Sequence, residues 1–312
     1  MKLVFCGTPP FAVPSLERLA AEGFEIQLVV TQPDRPQGRG MVLTAPPVKQ
    51  AAQTLSLPVI QPEKIKTNEE FRKQLEELKP ETIVVVGYGR LIPAWMLALP
   101  PRGNINVHAS LLPRYRGAAP IQWAIARGEV VTGATTMLLN EGLDTGDILL
   151  QDYIPIERED TAITLTPRLA KLGADLLIKT LRGLERGTVR PKAQDHSRAT
   201  LAPILNKEDG QVDFNRSAVE IHNRLRGFQP WPGATAQFRG KSLKITAARP
   251  ESGGASLAPG ELKREAEKLL VGCGGGSVLE LLQLQPEGKK AMSAREFVSG
   301  YHPVLGERLS QS

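Results

Sequence analysis

Three polar residues of this chain, Asn106, His108 and Asp144, have types and spacing suited to acyl transfer. Asn106 and His108 stand two apart at the end of an apolar run, and a strand projects every second side chain to the same face. Asp144 lies between two glycines in the turn sequence 142–147, which lets a carboxylate approach from another segment. An amide donor, an imidazole and a carboxylate are the groups needed to move an acyl-type group onto an amine.

Each of these residues also has a purely structural interpretation. A lone histidine at a strand end is more often structural than catalytic, and an aspartate beside glycine is routine in turns. Catalysis is favoured for His108 because Asn106 shares its strand face. It is also favoured because ligands bind at the carboxyl ends of strands in open α/β sheets, where His108 falls. Asp147 competes with Asp144 in the same turn, and spacing alone leaves the two carboxylates nearly equal.

The surrounding elements alternate between strands and helices. Apolar runs predict strands at 2–6, 25–30, 82–86, 104–107, 134–139 and 148–154. Helical patterns end at Gly23 and near Leu78, and another covers 121–126. A longer helix is predicted to begin near Thr166 with Pro167 at its first position, and Gly187 ends it. This alternation predicts an α/β domain with a Rossmann-like, mostly parallel sheet.

The last third of the chain has a different pattern. Residues 190–206 are polar and irregular, which predicts a linker between a domain at 1–189 and a second domain at 207–312. A helix at 218–226 is followed by short strands around 234–238, 243–247, 269–273 and 278–284. Short strands with glycine-rich turns, such as 274–276, predict a small β-barrel. Ser293 and Glu296 have the spacing of a capping box for a last helix.

Composition limits the class of protein. The 312 residues suit two domains, and 41% hydrophobic with 23% charged residues is typical of a globular protein with a full core. No apolar run is long enough to cross a bilayer, and the first residues predict a strand rather than a signal peptide. Cys6 and Cys273 offer neither a disulfide framework nor a metal cluster, so a cytoplasmic, metal-free protein is expected. The net charge of +6 leaves contact with nucleic acid undecided.

The residues 106–113, their continuation to Gln122, and the turn 142–147 resemble the folate-dependent formyltransferase family. Further similarity at 7–9, 31–36, 38–40, 207–210 and 226–234 narrows the resemblance to the branch that acts on methionyl-tRNA. The resemblance implies N10-formyltetrahydrofolate as the formyl donor, without a metal. It implies the α-amine of methionyl initiator tRNA as the acceptor, in support of translation initiation.

The resemblance also implies a catalytic set of Asn106, His108 and Asp144, with Asp144 favoured over Asp147. Asn106 would donate a hydrogen bond to the oxyanion, and His108 would stabilise it by hydrogen bonding or as imidazolium. Asp144 would either fix the protonation of the histidine or, through a water, collect the proton lost by the amine. The sequence leaves these two roles of Asp144 open.

By the same resemblance, the folate lies against two loops and the start of the Asp144 turn. Arg90 stands where relatives usually carry an apolar residue, so the fine shape of this pocket is expected to differ from theirs, but not its position. The residues implied are Gly87, Tyr88, Gly89, Arg90, Leu91, Ile92, Ser110, Leu111, Leu112, Pro113 and Asn140.

Two basic regions are implied to contact tRNA. The eighteen residues 32–49 are predicted to be irregular, and a loop this long is usually functional or disordered. In the resembling enzymes this loop enters the acceptor arm, although here Met41-Val42-Leu43 stand where relatives often carry lysines. The barrel resembles an OB-like module that holds tRNA, with an ordinary solvated surface as the alternative. The residues implied are Arg35, Arg39, Lys49, Arg224, Arg226 and Lys241.

Three other hypotheses remain. The same chemistry could serve a sugar nucleotide, a purine precursor or hydrolysis of the formyl-folate, but the Arg39 loop and the second domain argue against these. A non-catalytic RNA-binding protein is disfavoured because Asn106, His108 and Asp144 are all present. A nucleotide-dependent dehydrogenase lacks support, since 7–9 does not continue as a G-x-G-x-x-G fingerprint. A monomer without a membrane partner is expected.

Overall fold

The computed structural model describes residues 1–38, 40–252, 257–304 and 306–310, so that Arg39 lies outside the described residues. The chain forms two compact units. The first consists of Met1–Pro120, Val131–Pro155 and Thr166–Pro203, and the second of Ile121–Val130, Ile156–Leu165 and Ile204–Ser312. Most of the predicted linker therefore packs within the first unit, and two short stretches of the predicted catalytic domain pack within the second. The functional boundaries at 189 and 207 stay a prediction.

The first two-thirds of the chain contains nine strands and six helices among its described residues. The strands are β1 (Lys2–Gly7), β2 (Glu25–Val30), β3 (Arg35–Gln37), β4 (Val42–Thr44), β5 (Val59–Ile60), β6 (Thr82–Val86), β7 (Asn104–His108), β8 (Val131–Leu138) and β9 (Ile148–Pro155). The helices are α1 (Val13–Ala21), α2 (Pro47–Thr54), α3 (Glu69–Leu78), α4 (Ala94–Leu97), α5 (Pro120–Ala126) and α6 (Ala162–Glu185).

Seven of these strands form the main sheet of the first unit, in the order β5-β2-β1-β6-β7-β8-β9. The first five strands in this order are parallel, and β8 and β9 are antiparallel. All five residues of β6 are buried, as its unbroken apolar run predicts for a strand covered on both faces. The strand order reverses at β1, a position whose carboxyl edge commonly binds ligands. The predicted mostly parallel α/β sheet is confirmed.

The start predicted for α6 is wrong. The helix begins at Ala162, four residues before Thr166, and Pro167 is its sixth residue. Thr161 precedes the first turn, and its hydroxyl accepts a hydrogen bond from the Thr164 amide at 3.3 Å. This N-terminal threonine is the stronger start signal, because a proline this early removes only one helical hydrogen bond.

The segment 32–49 was predicted to be irregular, but part of it is regular. It contains the two-stranded antiparallel pair of β3 and β4, with Arg35 opposite Thr44. Its last residues belong to α2, which begins at Pro47 and so includes Lys49. Proline suits the first helical position because its missing N–H would have no partner there.

The second unit contains a six-stranded antiparallel sheet. After α7 (Ala218–Gly227) come β10 (Thr235–Phe238), β11 (Lys241–Glu251), β12 (Leu262–Glu265), β13 (Lys268–Gly272), β14 (Val278–Pro286), β15 (Met292–Ser293) and α8 (Ala294–Tyr301). The order is β10-β11-β14-β13-β12, with β15 on β14, which is consistent with an OB-like domain. The sequence did not predict β12, whose four residues include only one buried apolar side chain.

Two local predictions in the second unit are confirmed. The Ser293 hydroxyl accepts from the Glu296 amide at 3.2 Å, and the Glu296 carboxylate accepts from the Ser293 amide at 2.7 Å. This reciprocal pair is the capping box of α8. Residues 274–276 form a tight turn in which Gly275 and Gly276 have positive φ. In the part of the chain that the structure describes, no helix has the length and apolar character to cross a lipid bilayer.

Candidate active site

His108 is the last residue of β7, and its two ring nitrogens face different partners. Only 6% of the residue is exposed. Nε2 lies 2.9 Å from the carbonyl oxygen of Tyr115. A carbonyl can only accept, so Nε2 must be the donor in this hydrogen bond. Nδ1 lies 3.6 Å from Oδ2 of Asp144, which leaves Nδ1 as the ring nitrogen available for chemistry.

Asp144, and not Asp147, is the carboxylate that the fold brings to His108. Its Oδ2 accepts a hydrogen bond of 2.8 Å from the amide of Gly117. Its φ of +50° lies in the left-handed region, which aspartate tolerates better than most residues. The main-chain carbonyl of Asp147, just before β9, accepts from the Leu138 amide at 2.9 Å. The turn thus brings the carboxylate of Asp144 to His108, and the catalytic role of Asp144 stays a prediction.

Asn106 shares the face of β7 with His108, as its spacing predicts. It is half-buried, and among the described residues its side-chain amide has no hydrogen-bond partner. Asn104, two residues earlier, differs: its amide donates to the carbonyls of Met96 and Leu97 at 3.1 and 2.9 Å. The amide of Asn106 is therefore free to meet a ligand, whereas that of Asn104 holds structure.

The loop after His108 is held by two residues that sequence reasoning missed. Thr135 lies opposite His108 on β8, and Gln151 lies opposite Thr135 on β9. The Thr135 hydroxyl donates to the Ser110 carbonyl at 2.6 Å and accepts from the Leu112 amide at 3.2 Å. Gln151 donates to the Leu112 carbonyl at 2.9 Å. Strand register alone creates this line of contacts, so no local sequence signal could have revealed it.

Glycines at two positions allow the backbone segments around the site to pack closely. Gly117 has a φ of +120°, and a Cβ there would lie 2.6 Å from the carbonyl oxygen of Ala202. A Cβ on Gly146 would lie 1.7 Å from the carbonyl oxygen of Leu138. Both values are far below van der Waals contact, so these backbone segments approach each other only because no side chain intervenes.

The predicted folate loop 87–92 follows β6 at the carboxyl edge of the sheet. Tyr88 is 1% exposed, and its carbonyl accepts from the Thr8 hydroxyl at 3.0 Å and from Gln32 at 2.9 Å. Burial raises the pKa of the Tyr88 hydroxyl. The loop is thus anchored by Tyr88, while Gly87 and Gly89 on either side are exposed and have positive φ.

The remaining predicted folate residues divide into exposed and structural positions. Leu91 is 87% exposed, and Ile92 is half-buried. The Arg90 guanidinium donates to the carbonyl of Glu63, which ties this departure from the family pattern to a neighbouring loop. Ser110 and Leu112 are buried, and Leu111 and Pro113 are half-buried. Asn140 accepts from the Gly142 amide at 3.0 Å and from the Thr145 hydroxyl at 2.9 Å, so its side chain shapes the Asp144 turn.

Two of the predicted tRNA residues in the first unit have different surroundings. Arg35 is exposed on β3. Lys49 forms an ion pair with Asp34 at 2.7 Å, and Gln61 donates to the same carboxylate at 2.7 Å. The hydrogen bond from Lys49 is the main reason why the pKa of Asp34 lies below its ordinary value. The charge of Lys49 is therefore already paired.

In the second unit, most of the predicted cations make internal contacts. Arg226 is 8% exposed and donates to the Asp160 carbonyl at 2.6 Å and to the Asn223 side chain at 2.7 Å. Arg224 is half-buried, with its guanidinium 4.8 Å from the ring centroid of Phe228. Burial lowers the pKa of both arginines. Lys241, at the start of β11, is exposed.

Within the described residues, no group of three or more His, Cys, Asp or Glu side chains could hold a metal ion.

Relatives at high identity share the full length of the chain. A methionyl-tRNA formyltransferase of Koribacter versatilis is 63% identical over 311 residues, covering 100% of this chain and 99% of that protein. One of Acidobacterium capsulatum is 59% identical over 300 residues, covering 96% of each.

Solved structures share the fold at low identity. A sugar 3N-formyl transferase, WlaRD, determined with dTDP and 5-N-formyl-THF, has a TM-score of 0.69 at 18% identity and covers 93% of this chain and 99% of its own. An N-formyltransferase of Helicobacter canadensis has a TM-score of 0.68 at 20% identity and covers 92% and 99%.

Family models match both parts of the sequence. The model described as formyl transferase matches residues 1–181, and that described as formyl transferase, C-terminal domain, matches residues 204–302. These matches and the full-length relatives agree with the sequence motifs around His108 and Asp144. The chain belongs to the formyl transferase family.

Proposed function

We propose that this chain transfers the formyl group of N10-formyltetrahydrofolate to the α-amine of methionyl initiator tRNA. The observation that carries the proposal is the free amide of Asn106 beside His108, with the carboxylate of Asp144 facing the ring. Support for the acceptor comes from the full-length relatives, which are named methionyl-tRNA formyltransferases. A monomeric enzyme in the cytoplasm, where charged tRNA is used, completes the proposal.

Asn106 and His108 stabilise the charge that develops during transfer. Attack of the amine on the formyl carbon turns the carbonyl oxygen into an oxyanion. The amide of Asn106 donates to this oxygen without giving up a contact inside the described protein. A single donor of this kind contributes about two to three powers of ten in rate. Nδ1 of His108 is the ring atom that meets the substrate, because Nε2 is committed to the Tyr115 carbonyl.

Asp144 controls the proton on His108 in this proposal. Net transfer moves one proton from the attacking amine to the N10 nitrogen of the folate that leaves. The ring is oriented by the hydrogen bond from Nε2 to the Tyr115 carbonyl. Oδ2 of Asp144 lies 3.6 Å from Nδ1, which is longer than a hydrogen bond, so Nδ1 is left to pass this proton from the amine to the folate beside the carboxylate.

The folate is held by the loop 87–92, by residues 110–113 and by the turn that begins at Asn140. Support comes from the exposure of Gly87 and Gly89 and from the exposed side chain of Leu91. Buried contacts of Tyr88 and Thr135 fix the loops themselves. Firmly held loops that present an apolar side chain and few polar groups are typical of a small-molecule site.

Contact with tRNA is proposed for Arg35, Arg39 and Lys241. Arg35 and Lys241 are exposed, and cations in such positions supply affinity for phosphates that falls with salt. The proposal leaves out Lys49 and Arg226, whose charged groups are used inside the protein. Arg224 is left out for the same reason. The domains that carry the two roles are proposed as 1–189 for catalysis and 207–312 for tRNA, joined by 190–206.

Replacing Arg39 tests the loop assignment. Arg39→Ala is expected to weaken the use of tRNA about tenfold, as loss of a single phosphate or base contact does, and to leave binding of the folate nearly unchanged. Steady-state kinetics with each substrate varied in turn measures both effects. Equal losses for the two substrates would contradict the assignment.

A formylation assay tests the function itself. The protein is incubated with N10-formyltetrahydrofolate and matched methionyl-tRNAs, one initiator and one elongator, and formyl-methionine is measured after deacylation. Formylation of the initiator in preference to the elongator is expected. No formyl-methionine with either tRNA would overturn the proposal, and parallel reactions with amino-sugar nucleotides or without an acceptor would then identify the true acceptor.

A further inference from the structure

Gln194 lies in the stretch that the sequence predicts as a linker, yet it is 6% exposed and touches the Asp144 turn. Its Nε2 donates to the carbonyl oxygens of Asp144 and Gly146, at 2.9 and 2.7 Å. Its Oε1 accepts from Nε and Nη2 of Arg116, at 3.2 and 2.7 Å. One side-chain amide therefore joins the catalytic turn to a buried cation.

The chemistry of these partners requires a glutamine. Two carbonyl oxygens need donors at one end of the side chain, and a guanidinium needs an acceptor at the other. A glutamate would lack the donors and would set a negative charge against two carbonyls. An apolar side chain of the same length would leave both ends of the network unpaired, and a buried unpaired polar group is costly.

Arg116 connects the same network to the Asp144 carboxylate. It is 7% exposed, and Nη2 also lies 3.0 Å from Nδ1 of His196. Its backbone amide donates to the Thr200 carbonyl at 2.8 Å. The next residue, Gly117, is the one whose amide donates to Oδ2 of Asp144. Two hydrogen bonds therefore hold Asp144. Gln194 donates to its main-chain carbonyl, and the amide of Gly117, the residue after Arg116, donates to its carboxylate.

The backbone conformation of Asp144 explains why these two hydrogen bonds matter. A φ of +50° is less favourable for aspartate than for glycine, so contacts from outside the turn are needed to hold it. Without them the turn can relax, and the carboxylate would move relative to Nδ1 of His108. Misplacement by about 1 Å can cost about a hundredfold in rate.

We propose that Gln194 is a positioning residue that sets the Asp144 carboxylate against His108 through the main chain of the turn. The inference rests on the proposed formyl transfer for its readout. Because Gln194 acts only through Asp144, its loss lowers kcat and leaves the KM of both substrates nearly unchanged.

Two substitutions test this role against a matched control. Gln194→Glu removes the donors, and Gln194→Met keeps the length without a charge, so that one variant remains informative if the other folds poorly. For either, kcat is expected to fall about a hundredfold. Gln27→Glu is the control, since the Gln27 amide likewise donates to a main-chain carbonyl, that of Leu78 at 3.0 Å, on elements outside the site. The control is expected to lower Tm without changing kcat.

A double-mutant cycle with Asp144→Ala separates positioning from folding. If Gln194 works through Asp144, adding Gln194→Met to Asp144→Ala lowers kcat no further. Multiplicative losses would overturn the inference, and so would folded Gln194 variants with full kcat or losses that merely follow the unfolded fraction. Failure of the wild-type protein to formylate methionyl-tRNA would instead overturn the proposed function, which the wild-type reaction in the same experiment reveals.

Discussion

The loops around His108 and the basic residues proposed for tRNA differ in how their side chains are fixed. Asp144 and the loop after His108 are held by buried or partly buried hydrogen bonds from Gly117, Thr135 and Gln194. Arg35 and Lys241 are simply exposed. Transfer of a group needs atoms within a fraction of an ångström, whereas attraction to phosphates needs only accessible charge. The contact pattern around a side chain therefore indicates which kind of function it can serve.

The cations of the second unit differ in the same way, since some are bonded inside the protein and others are exposed. Sequence reasoning treated Arg226 and Lys241 alike, as candidates for phosphate contact. The structure buries Arg226 against Asp160 and leaves Lys241 in solvent. A guanidinium with five donors in a planar fork suits such internal bonding better than a lysine does.

The largest expected effect is the loss of His108. His108→Ala should lower kcat by about two to four powers of ten, because the site loses its proton-carrying ring. Single-turnover formylation measures the chemical step, and circular dichroism checks that the fold persists. Unchanged turnover in a folded variant would show that catalysis does not depend on this residue.

A pair of asparagines on β7 sharpens the distinction between chemistry and structure. Asn106→Ala should lower kcat about a hundredfold to a thousandfold, as loss of an oxyanion donor does, with little change in Tm. Asn104→Ala should lower Tm and leave kcat unchanged, because the Asn104 amide is bonded to the carbonyls of Met96 and Leu97. A loss of kcat in Asn104→Ala together with a loss of Tm alone in Asn106→Ala would contradict these roles.

A second pair compares two cations of the second unit. Arg226→Met should lower the free energy of unfolding by about 2–3 kcal/mol, since hydrogen bonds to buried partners are lost from a charged group. Lys241→Met should leave stability unchanged, weaken tRNA binding and reduce the slope of log K against log salt by about 1. Urea unfolding and binding at several salt concentrations measure these effects. A salt slope reduced by Arg226→Met instead would contradict its internal role.

The smallest expected effect is the pH dependence of stability from His222 on α7. Burial, followed by the nearby charge of Arg226, lowers its pKa below the ordinary value of 6.5, while Glu159 acts in the opposite direction. As the pH falls below 6.5, the unfolded state binds more protons than the folded state. The free energy of unfolding therefore has its full value above pH 6.5 and decreases as the pH falls below it. His222→Gln should flatten that part of the stability profile, and an unchanged profile would exclude His222 as its source.

Much of the fold was accessible from local sequence patterns. The strand at Glu25–Val30 and that at Thr82–Val86 have the predicted bounds, and the capping box at Ser293 forms as expected. The start of α6 was predicted four residues too late because Pro167 was taken as its first position, whereas the helix begins at Ala162. The pair of β3 and β4 was missed because its short strands carry little apolar alternation.

Local sequence patterns suffice to place Asn106 and His108 on one strand face at the carboxyl edge of a parallel sheet. Strand periodicity and the position of the apolar run are encoded within a few residues, so no distant contact is needed to infer them. Its motifs also placed the chain among the formyl transferases.

Contacts between segments far apart in sequence set which carboxylate faces the histidine and what holds it there. Gln194 lies 50 residues from Asp144 in sequence, and Gly117 lies 27 residues from it. Contacts over such separations depend on strand order and on close backbone approach at glycines, which no local pattern encodes. For the same reason, only the fold could separate Arg226, bonded within the protein, from Lys241 in solvent.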